Sequence, residues 1–362
     1  MNKSLNNINI NVIGVMSGTS LDGLDICFVN FTQNENKWNY KIRISKTEEY
    51  DSIIKNKLIN AHLLDAQSFA KLHFDYGKYL GEKIDTFIRK NSIKPQLIAS
   101  HGHTIFHQPE SGFTTQIGHG ACIATETFIN TICDFRTTDV ALHGSGAPLV
   151  PIGDKFLFPE YDYCINLGGF SNISFEKNSK RIAYDICPVN YILNYCVKRI
   201  GKDYDKDGRI ARKGKVATKL LKDLNSLSFY SKTGPKSLGR EDVENEFIPL
   251  IDSYSLNVED ILNTFCEHIA IQIGKSINNG KVLVTGGGAF NKYLIERIRI
   301  NSSKCTIIIP DDQTVKFKEA LIFAFLGILF YYDIPNCLSS VTGAKSDSIS
   351  GALYKAYNPN YT

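Results

Sequence analysis

The sequence lacks several features that would place it in common classes of protein. Its 362 residues carry a formal net charge of only +4, which excludes strong electrostatic binding to nucleic acid as the default interpretation. The longest apolar run, from Ala320 to Tyr332, is shorter than the roughly 20 residues that span a bilayer, so it predicts a buried helix and no membrane partner. No basic segment followed by an apolar stretch opens the chain, and we do not expect secretion.

CxxC pairs are also absent. The nine cysteines are odd in number and scattered from Cys27 to Cys337, which favours reduced thiols and a cytoplasmic location over a disulfide framework. The remaining composition, with 43% hydrophobic and 22% charged residues, is typical of a folded protein. The length suggests two domains.

Apolar runs interrupted by glycine and serine turns indicate how the strands are organised along the chain. The run from Ile10 to Met16 stops at SGTSLDG and resumes from Leu24 to Phe31, and a second pair of the same form spans Tyr161 to Phe175. Trp38 to Ile44 predicts a third strand, and Asp65 is placed to cap a long amphipathic helix. One strand-turn-strand unit opening each half of the chain predicts a duplicated α/β architecture.

The first turn has the composition of a phosphate-binding loop. Glycine and small hydroxyl residues let backbone N–H groups approach a phosphate, and the Asp22 carboxylate can hold a hydrated magnesium ion. An ordinary hairpin turn uses the same residue types, and both interpretations stay open. The candidate nucleotide-binding residues here are Gly18, Thr19, Ser20, Leu21, Asp22, Gly23 and Asp25.

Two further small-residue turns follow later in the chain. They match neither the P-loop GxxxxGK[ST] nor the spacing of the dinucleotide fingerprint GxGxxG. Three such turns at strand ends would nevertheless allow two domains to bind a nucleotide from opposite sides. The candidate residues are Gly168, Gly169 and Ser171 in the second turn and Gly286, Gly287 and Gly288 in the third.

Histidines define a competing site. His101, His103, His107, His119 and His143 fall within a short span, and an HxHxxxH spacing can supply imidazoles to a divalent metal. His101 and His103 are expected to point to one side and to share a role. No HExxH motif accompanies them, and the nearby Arg136 fits an anionic substrate group better than a metal.

Two carboxylates are candidates for chemistry. Asp185 is expected at the end of an apolar strand just before Pro188, where it serves either as a general base or as a helix cap. Glu319 is either a first-turn helix acid or a carboxylate of the binding cleft.

Through these motifs the sequence resembles the anhydro-N-acetylmuramic acid kinases, relatives of the hexokinase, Hsp70 and actin superfamily. The resemblance covers essentially the whole chain in one order. It is carried by GVMSGTSLDGLD, SHGHTIFHQP, TTQIG, DFRTTDVALHGSGAPLVP, INLGGFSNIS, VTGGGAFN and KEALIFAFLG.

The resemblance implies two actin-like (ribonuclease-H-like) α/β domains with a nucleotide cleft between them. We expect residues 1–135, joined by the tail 336–362, to form the N-terminal domain, and residues 136–335 to form the C-terminal domain. It further implies a cytoplasmic homodimer that uses ATP and Mg²⁺ to open the 1,6-anhydro ring of anhydro-N-acetylmuramic acid and to phosphorylate O6. The products are N-acetylmuramic acid 6-phosphate and ADP, formed in peptidoglycan recycling.

The resemblance also assigns roles to residues. It makes Asp185 the general base, the turn from Gly18 to Asp25 the ATP-binding loop, and Glu319 the cleft glutamate. The second and third turns join the nucleotide site. The predicted sugar-binding residues are His101, His103, Arg136 and Asn190.

Two departures from the family pattern lie on the sugar side. The usual FDTGPGN reads YDICPVN here, so that Ile186, Cys187 and Val189 replace smaller residues, and His103 stands where glutamine is usual. Bulk beside the base is expected to narrow the sugar site. Two alternatives therefore stay open: a catalytically silent sugar- or nucleotide-binding regulator on the same fold, and a metal hydrolase built on the histidines.

Overall fold

The computed structural model describes residues 8–18, 21, 23–35, 37–232 and 236–356. The chain divides into two compact units. The first contains the residues up to Leu157 together with those from Phe317 onward, and the second runs from Phe158 to Lys316.

Each unit is built on one mixed β-sheet. The strands, in chain order, are β1 (Ile8–Ser17), β2 (Leu24–Asn34), β3 (Lys37–Glu48), β4 (Leu97–Gln108), β5 (Phe113–Ile117), β6 (Thr131–Cys133), β7 (Tyr163–Leu167), β8 (Phe170–Lys177), β9 (Lys180–Pro188), β10 (Gly280–Thr285), β11 (Cys305–Ile308) and β12 (Ala352–Tyr354).

Helices connect and cover these strands. In chain order they are α1 (Ser52–Ile59), α2 (Ala66–Asn91), α3 (Gly120–Thr127), α4 (Thr137–Ala141), α5 (Val150–Leu157), α6 (Asn190–Lys198), α7 (Thr218–Asn225), α8 (Arg240–Asp242), α9 (Ile248–Asp252), α10 (Val258–Ser276), α11 (Lys292–Asn301), α12 (Asp312–Tyr331) and α13 (Ser339–Thr342). Helix α2 begins where the sequence predicted, because the Asp65 side chain accepts from the amides of Gln67 and Ser68.

The two sheets repeat one topology. In the first unit β1, β2 and β3 form an antiparallel meander, and β4 and then β6 add in parallel beside β1. In the second unit β7, β8 and β9 form the meander, and β10 and β11 add in parallel beside β7. The predicted duplicated α/β architecture is confirmed.

Helix α12 packs closely on the sheet of the first unit. A Cβ atom at Gly14 of β1 would overlap the carbonyl oxygen of Ala320, and one at Gly327 would come within 2.6 Å of the Ala99 side chain. Phe325 packs edge-on against Trp38 with ring centroids 5.1 Å apart. The apolar run is therefore a buried helix, as predicted. Within the described residues, no helix is long and apolar enough to cross a membrane.

This packing divides the chain at residues that differ from those expected. Residues 136–157 and most of α12, which we had expected in the second domain, belong to the first unit. The physical reason for α12 is that Gly14, Ala99 and Trp38, its contacts in the sheet, all belong to strands of the first unit.

The contact between Gly14 and α12 gives a stability test. We expect Gly14→Ala to lower the free energy of unfolding by about 1–3 kcal/mol, because the added methyl group forces backbone apart in a packed core. Gly169→Ala is the control, since a Cβ there meets no atom within 4 Å. Urea unfolding measures both, and equal stabilities of the two variants would contradict the packing argument.

Candidate active site

The first small-residue turn joins β1 to β2. Ser17 and Leu24 close the antiparallel ladder, and the Leu21 amide donates to the Gly18 carbonyl at 3.2 Å. Leu21 has a φ of 57°, a left-handed conformation that the tight turn requires. Thr19, Ser20 and the predicted metal ligand Asp22 lie outside the described residues. The remaining residues, Gly18, Leu21, Gly23 and Asp25, lie where the sequence placed them.

A buried polar chain supports the base of this turn. The Tyr50 hydroxyl donates to Ser17 Oγ at 2.7 Å, and Ser17 Oγ in turn lies 2.8 Å from His103 Nδ1. Tyr50 and Tyr76 share a further hydrogen bond of 2.7 Å. Burial lowers the pKa of His103 to about 4, so its imidazole is neutral at physiological pH. Sequence reasoning missed Ser17, Tyr50 and Tyr76, because only the fold brings them to His103.

His101 faces a different environment from His103. Nε and Nη2 of Arg136 lie 3.0 and 2.9 Å from His101 Nε2, and the His101 ring packs 4.6 Å from Phe323 of α12. Gly102 between the two histidines has a φ of 71°, which breaks the strand alternation. The prediction that His101 and His103 point to one side is therefore wrong.

The hydrogen bonds fix the protonation of His101. Its Nε2 accepts from Arg136, and its Nδ1 lies 2.9 Å from the Gly102 carbonyl, so the neutral ring carries its proton on Nδ1. Burial and the Arg136 charge both lower the pKa of His101. Arg136 Nη1 also donates to the Gly146 carbonyl at 2.6 Å, and burial lowers the Arg136 pKa to about 10.

Two further histidines of the predicted cluster, His107 and His119, make local contacts. His107 Nδ1 pairs with Thr114 Oγ1 at 3.0 Å, and His119 caps α3 by accepting from the Ala121 amide at 3.2 Å. Across the described part of the chain, no group of three or more histidine, cysteine or acidic side chains is arranged to hold a metal ion. The arrangement gives the metal-hydrolase alternative no support there.

Glu319 lies near two of the predicted site residues in the first unit. Burial raises the pKa of Glu319, the Arg136 charge lowers it, and the Asp25 carboxylate raises it. Asp25 itself accepts from Thr47 Oγ1 at 2.5 Å. The Glu319 side chain is nevertheless exposed to solvent, although protein atoms surround its carboxylate. Two acidic groups and one guanidinium are thus brought together.

Asp185 lies within β9, three residues before its end, and is not a helix cap. The N-cap position of α6 is Val189, and the Asp185 carboxylate instead accepts from the Leu238 amide, with Oδ2 2.9 Å from that nitrogen. Burial raises the Asp185 pKa to about 6, although the Leu238 bond lowers it. Among the described residues no donor meets Oδ1.

The bulky residues around Asp185 point away from the site. Ile186, Cys187 and Val189 are between 0% and 3% exposed and belong to the hydrophobic core of the second unit. Ser171 of β8 pairs with Cys187 and Asn172 pairs with Asp185, so Ile186 is the extra residue of a β-bulge in β9. The core therefore takes up the bulk that was expected to narrow the sugar site.

The second and third turns meet within the second unit. Asn190 Nδ2 donates to the Leu167 carbonyl at 3.1 Å, and the Asn190 amide donates to the Gly168 carbonyl at 3.2 Å. Gly286 has a φ of 82°, and a Cβ there would lie 2.8 Å from the Leu167 carbonyl oxygen. By contrast, a Cβ at Gly287 would have only Asn190 nearby, at 3.5 Å.

Other predicted residues of these turns have different surroundings. Gly169 has open space beside it, and a Cβ at Gly288 would come within 2.7 Å of the Leu167 side chain. Ser171 is fully buried, and its hydroxyl has no hydrogen-bond partner among the described residues. The structure thus brings Asn190 next to both glycine turns.

Lys236 and Leu238 are contacts of Asp185 that the sequence did not reveal. Asp185 N donates to the Lys236 carbonyl at 2.8 Å, in addition to the bond from the Leu238 amide. Because both contacts use backbone atoms, no side-chain pattern could have signalled them.

The two α/β units share one topology and carry small-residue turns at their strand ends, and one unit holds a carboxylate of raised pKa. This combination is typical of enzymes that transfer a phosphoryl group. A family model described as anhydro-N-acetylmuramic acid kinase matches residues 10–356. The chain belongs to this family, and the resemblance seen in its motifs is confirmed.

Curated relatives agree with the family match. The anhydro-N-acetylmuramic acid kinase of Vibrio parahaemolyticus is 33% identical over 366 residues, covering 94% of this chain and 97% of the relative. That of Shewanella oneidensis is 34% identical over 371 residues, covering 95% and 98%. A solved structure of the activator of 2-hydroxyisocaproyl-CoA dehydratase from Clostridium difficile has a TM-score of 0.42 and 14% identity, covering 90% of this chain and 95% of that one.

The raised pKa of Asp185 predicts a pH-dependent stability. Folding raises its pKa from 3.8 to about 6, so the folded state binds this proton more tightly and loses that stabilisation as pH rises from about 4 through 6. We expect Asp185→Asn to increase the free energy of unfolding by about 1–3 kcal/mol at pH 7.5, with the gain shrinking at pH 3.5. Urea unfolding at both pH values measures this, and a destabilised Asn variant at pH 7.5 would contradict it.

Proposed function

We propose that the protein is an ATP-dependent kinase that opens the 1,6-anhydro ring of anhydro-N-acetylmuramic acid with water and phosphorylates O6. The products are N-acetylmuramic acid 6-phosphate and ADP, as peptidoglycan recycling requires. Family membership over nearly the whole chain supports this activity. The observation that carries the mechanism is the Asp185 carboxylate, whose Oδ2 is held by a backbone amide while its pKa is raised to about 6.

Asp185 is the general base of the proposed reaction. A pKa of about 6 leaves the carboxylate mainly ionised at neutral pH and makes it a stronger base than an ordinary aspartate. It takes a proton from water as the water oxygen attacks the anomeric carbon. The bond from that carbon to O6 breaks, and its electron pair stays on O6.

Phosphoryl transfer completes the ring opening. Inverting glycosidases use a second carboxyl group to protonate the leaving oxygen. In the proposed reaction O6 instead bonds to the γ-phosphorus of ATP as the bond to the β-phosphate oxygen breaks and ADP leaves. One base therefore suffices, and Asp185 is the candidate.

The nucleotide side of the proposal uses the three small-residue turns. In the first unit we assign the residues from Gly18 to Asp25 to the phosphates, together with Glu319 of α12. In the second unit we assign Gly168, Gly169, Ser171 and the Gly286–Gly288 turn. Backbone amides in such turns stabilise charge on the transferring phosphoryl group without reorganisation.

Magnesium is also part of the proposal. Asp25 raises the pKa of Glu319 by repulsion, and two carboxylates close enough to repel fit a hard cation that takes one or two carboxylates along with phosphate oxygens. Asp22, predicted as a ligand, lies outside the described residues. When bound, the ion would offset negative charge on the phosphates.

The sugar side is assigned to His101, His103, Arg136 and Asn190. Arg136 is the candidate for the lactyl carboxylate or nearby sugar oxygens, because its bonds to neutral His101 and the Gly146 carbonyl fix the guanidinium without neutralising its charge. A cytoplasmic location fits the cysteines, all nine of which are free. A homodimer remains part of the proposal on the family resemblance alone.

Asp185→Asn tests the base. The amide keeps an oxygen for the Leu238 bond but loses the basic carboxylate, so we expect turnover to fall by roughly 10²- to 10⁴-fold with ATP affinity little changed. Release of ADP in the presence of ATP, Mg²⁺ and the anhydro sugar measures turnover. Asp223→Asn, which removes a carboxylate paired with Tyr254, is the matched control. An Asp185→Asn enzyme as fast as the wild type would remove this residue from the mechanism.

Gly287→Val tests the third turn. A Cβ at Gly287 meets only Asn190 Nδ2, at 3.5 Å, so we expect a folded protein. Its ATP affinity should drop at least tenfold, because valine blocks the approach of phosphate to the backbone. Calorimetric titration with ATP measures the loss, and titration with the sugar alone is the control. Unchanged ATP affinity in the folded variant would take this turn out of the nucleotide site.

The alternatives are separated by measuring ADP, bound sugar and sugar product with and without ATP and Mg²⁺. Sugar-dependent ADP release supports the kinase. Binding of sugar without turnover is the result expected of a silent regulator, and turnover of the sugar without ATP is that expected of a hydrolase. Either of the last two results would overturn the proposed function.

A further inference from the structure

Asp185 is held by a segment that is remote in sequence. We use the name anchor segment for residues 228–232 and 236–238. Its Lys236 carbonyl accepts from the Asp185 amide at 2.8 Å, and its Leu238 amide donates to Asp185 Oδ2 at 2.9 Å. The position of the carboxylate therefore depends on what fixes Lys236 and Leu238.

The Lys236 side chain ties the two parts of the anchor segment together. Its ammonium donates to the Phe229 carbonyl at 3.2 Å and lies 4.4 Å above the Phe229 ring. Phe229 and Leu238 are 3% and 6% exposed, respectively, and both belong to the hydrophobic core of the unit. A charged hydrogen bond and two buried side chains thus connect the segment to the core.

Tyr230 ties the same segment to the central helix α10. Its hydroxyl lies 2.7 Å from Nε2 of the fully buried His268, whose Nδ1 lies 2.8 Å from Asn225 Oδ1. Gln272 Nε2 donates to that same oxygen at 2.6 Å, so Asn225 Oδ1 is an acceptor and His268 Nδ1 carries the proton. Since burial lowers the His268 pKa to about 3, the ring is neutral and Tyr230 donates to Nε2.

We propose that Tyr230 and Lys236 are positioning residues for Asp185: they fix the Leu238 amide on Oδ2 and so leave Oδ1 directed to the reacting water. This inference rests on the proposed function, in which Asp185 is the base. Tyr230 bonds to His268, and its ring lies 5.6 Å from the Lys236 ammonium. The backbone of Lys236 and Leu238 then makes the contacts to Asp185. Neither positioning residue needs to touch the substrate.

The pKa of Asp185 reports on its hydrogen bond from the Leu238 amide. The Leu238 amide lowers the Asp185 pKa, and burial raises it. Cys187 on the same strand stays a neutral thiol because burial raises its pKa, and neutral His268 lies on α10, the helix packed against β9. Lys232 and Lys236 are the cations of the anchor segment, and their ammonium groups lie 5.7 and 4.4 Å from the centroid of the Phe229 ring. Loss of the amide bond therefore moves the Asp185 pKa upward.

Tyr230→Phe removes one hydroxyl and no charge, so it isolates the effect of position. We expect the acidic midpoint of the kcat/KM profile to rise by about one pH unit. A weaker hydrogen bond to the carboxylate raises its pKa, so the base ionises at a higher pH. For a midpoint that moves from about 6 to about 7, the loss is roughly eightfold at pH 5.5 and small at pH 8.5. Tyr254→Phe, which loses a hydroxyl bonded to Asp223, is the matched control with an unshifted midpoint.

Lys236→Met is the second variant, because it breaks the bond to the Phe229 carbonyl without opening the buried Tyr230–His268 pair. It should shift the midpoint in the same direction, and it decides the question if Tyr230→Phe does not fold. Unshifted midpoints in the folded variants would overturn the proposal, whether activity is unchanged or falls equally at every pH. Full turnover by the Asp185→Asn enzyme would instead overturn the assignment of Asp185 as the general base, and with it the proposed mechanism. An inactive Asp185→Asn with unshifted anchor variants would overturn only this inference.

Discussion

The close approach of helix α12 to the sheet of the first unit is the constraint on which that half of the molecule depends. Gly14 and Gly327 lack side chains where helix and strand backbones meet, and aromatic rings fill the space further along. The same contact determines where Glu319 lies, since it precedes Ala320 directly. A packing requirement in the core thus places an acidic side chain near Arg136 and Asp25.

In the second unit, chemistry and stability oppose one another. Partial burial makes Asp185 a better base but disfavours its ionised form, so the folded protein carries a cost at neutral pH. A single backbone amide offsets part of that cost and also orients the carboxylate. The anchor segment is therefore important for both the stability and the orientation of Asp185, because it supplies this amide from a part of the chain 53 residues away.

Local sequence patterns were enough to predict much of this fold. The apolar runs around the first two turns predicted the first two strands of each meander, Asp65 predicted the start of α2, and the run from Ala320 onward predicted a buried helix. Patterns failed where tertiary contacts decide. The separation of His101 from His103 depends on the positive φ of Gly102, and the contacts of Asp185 with Lys236 and Leu238 use backbone atoms that every residue carries. The unit boundaries likewise follow α12 packing, which no local signal reports.

The β-bulge at Ile186 shifts the phase of β9, because Ser171 pairs with Cys187 and Asn172 pairs with Asp185. In an unbroken strand, residues 185 and 187 would project to one side. The altered pairing at Ser171 and Asn172 lets Asp185 meet the anchor segment while Ile186 and Cys187 both enter the core. The two sides of the strand are thereby uncoupled: packing residues can change size without displacing the base, whereas adding or deleting one residue here would exchange the two sides.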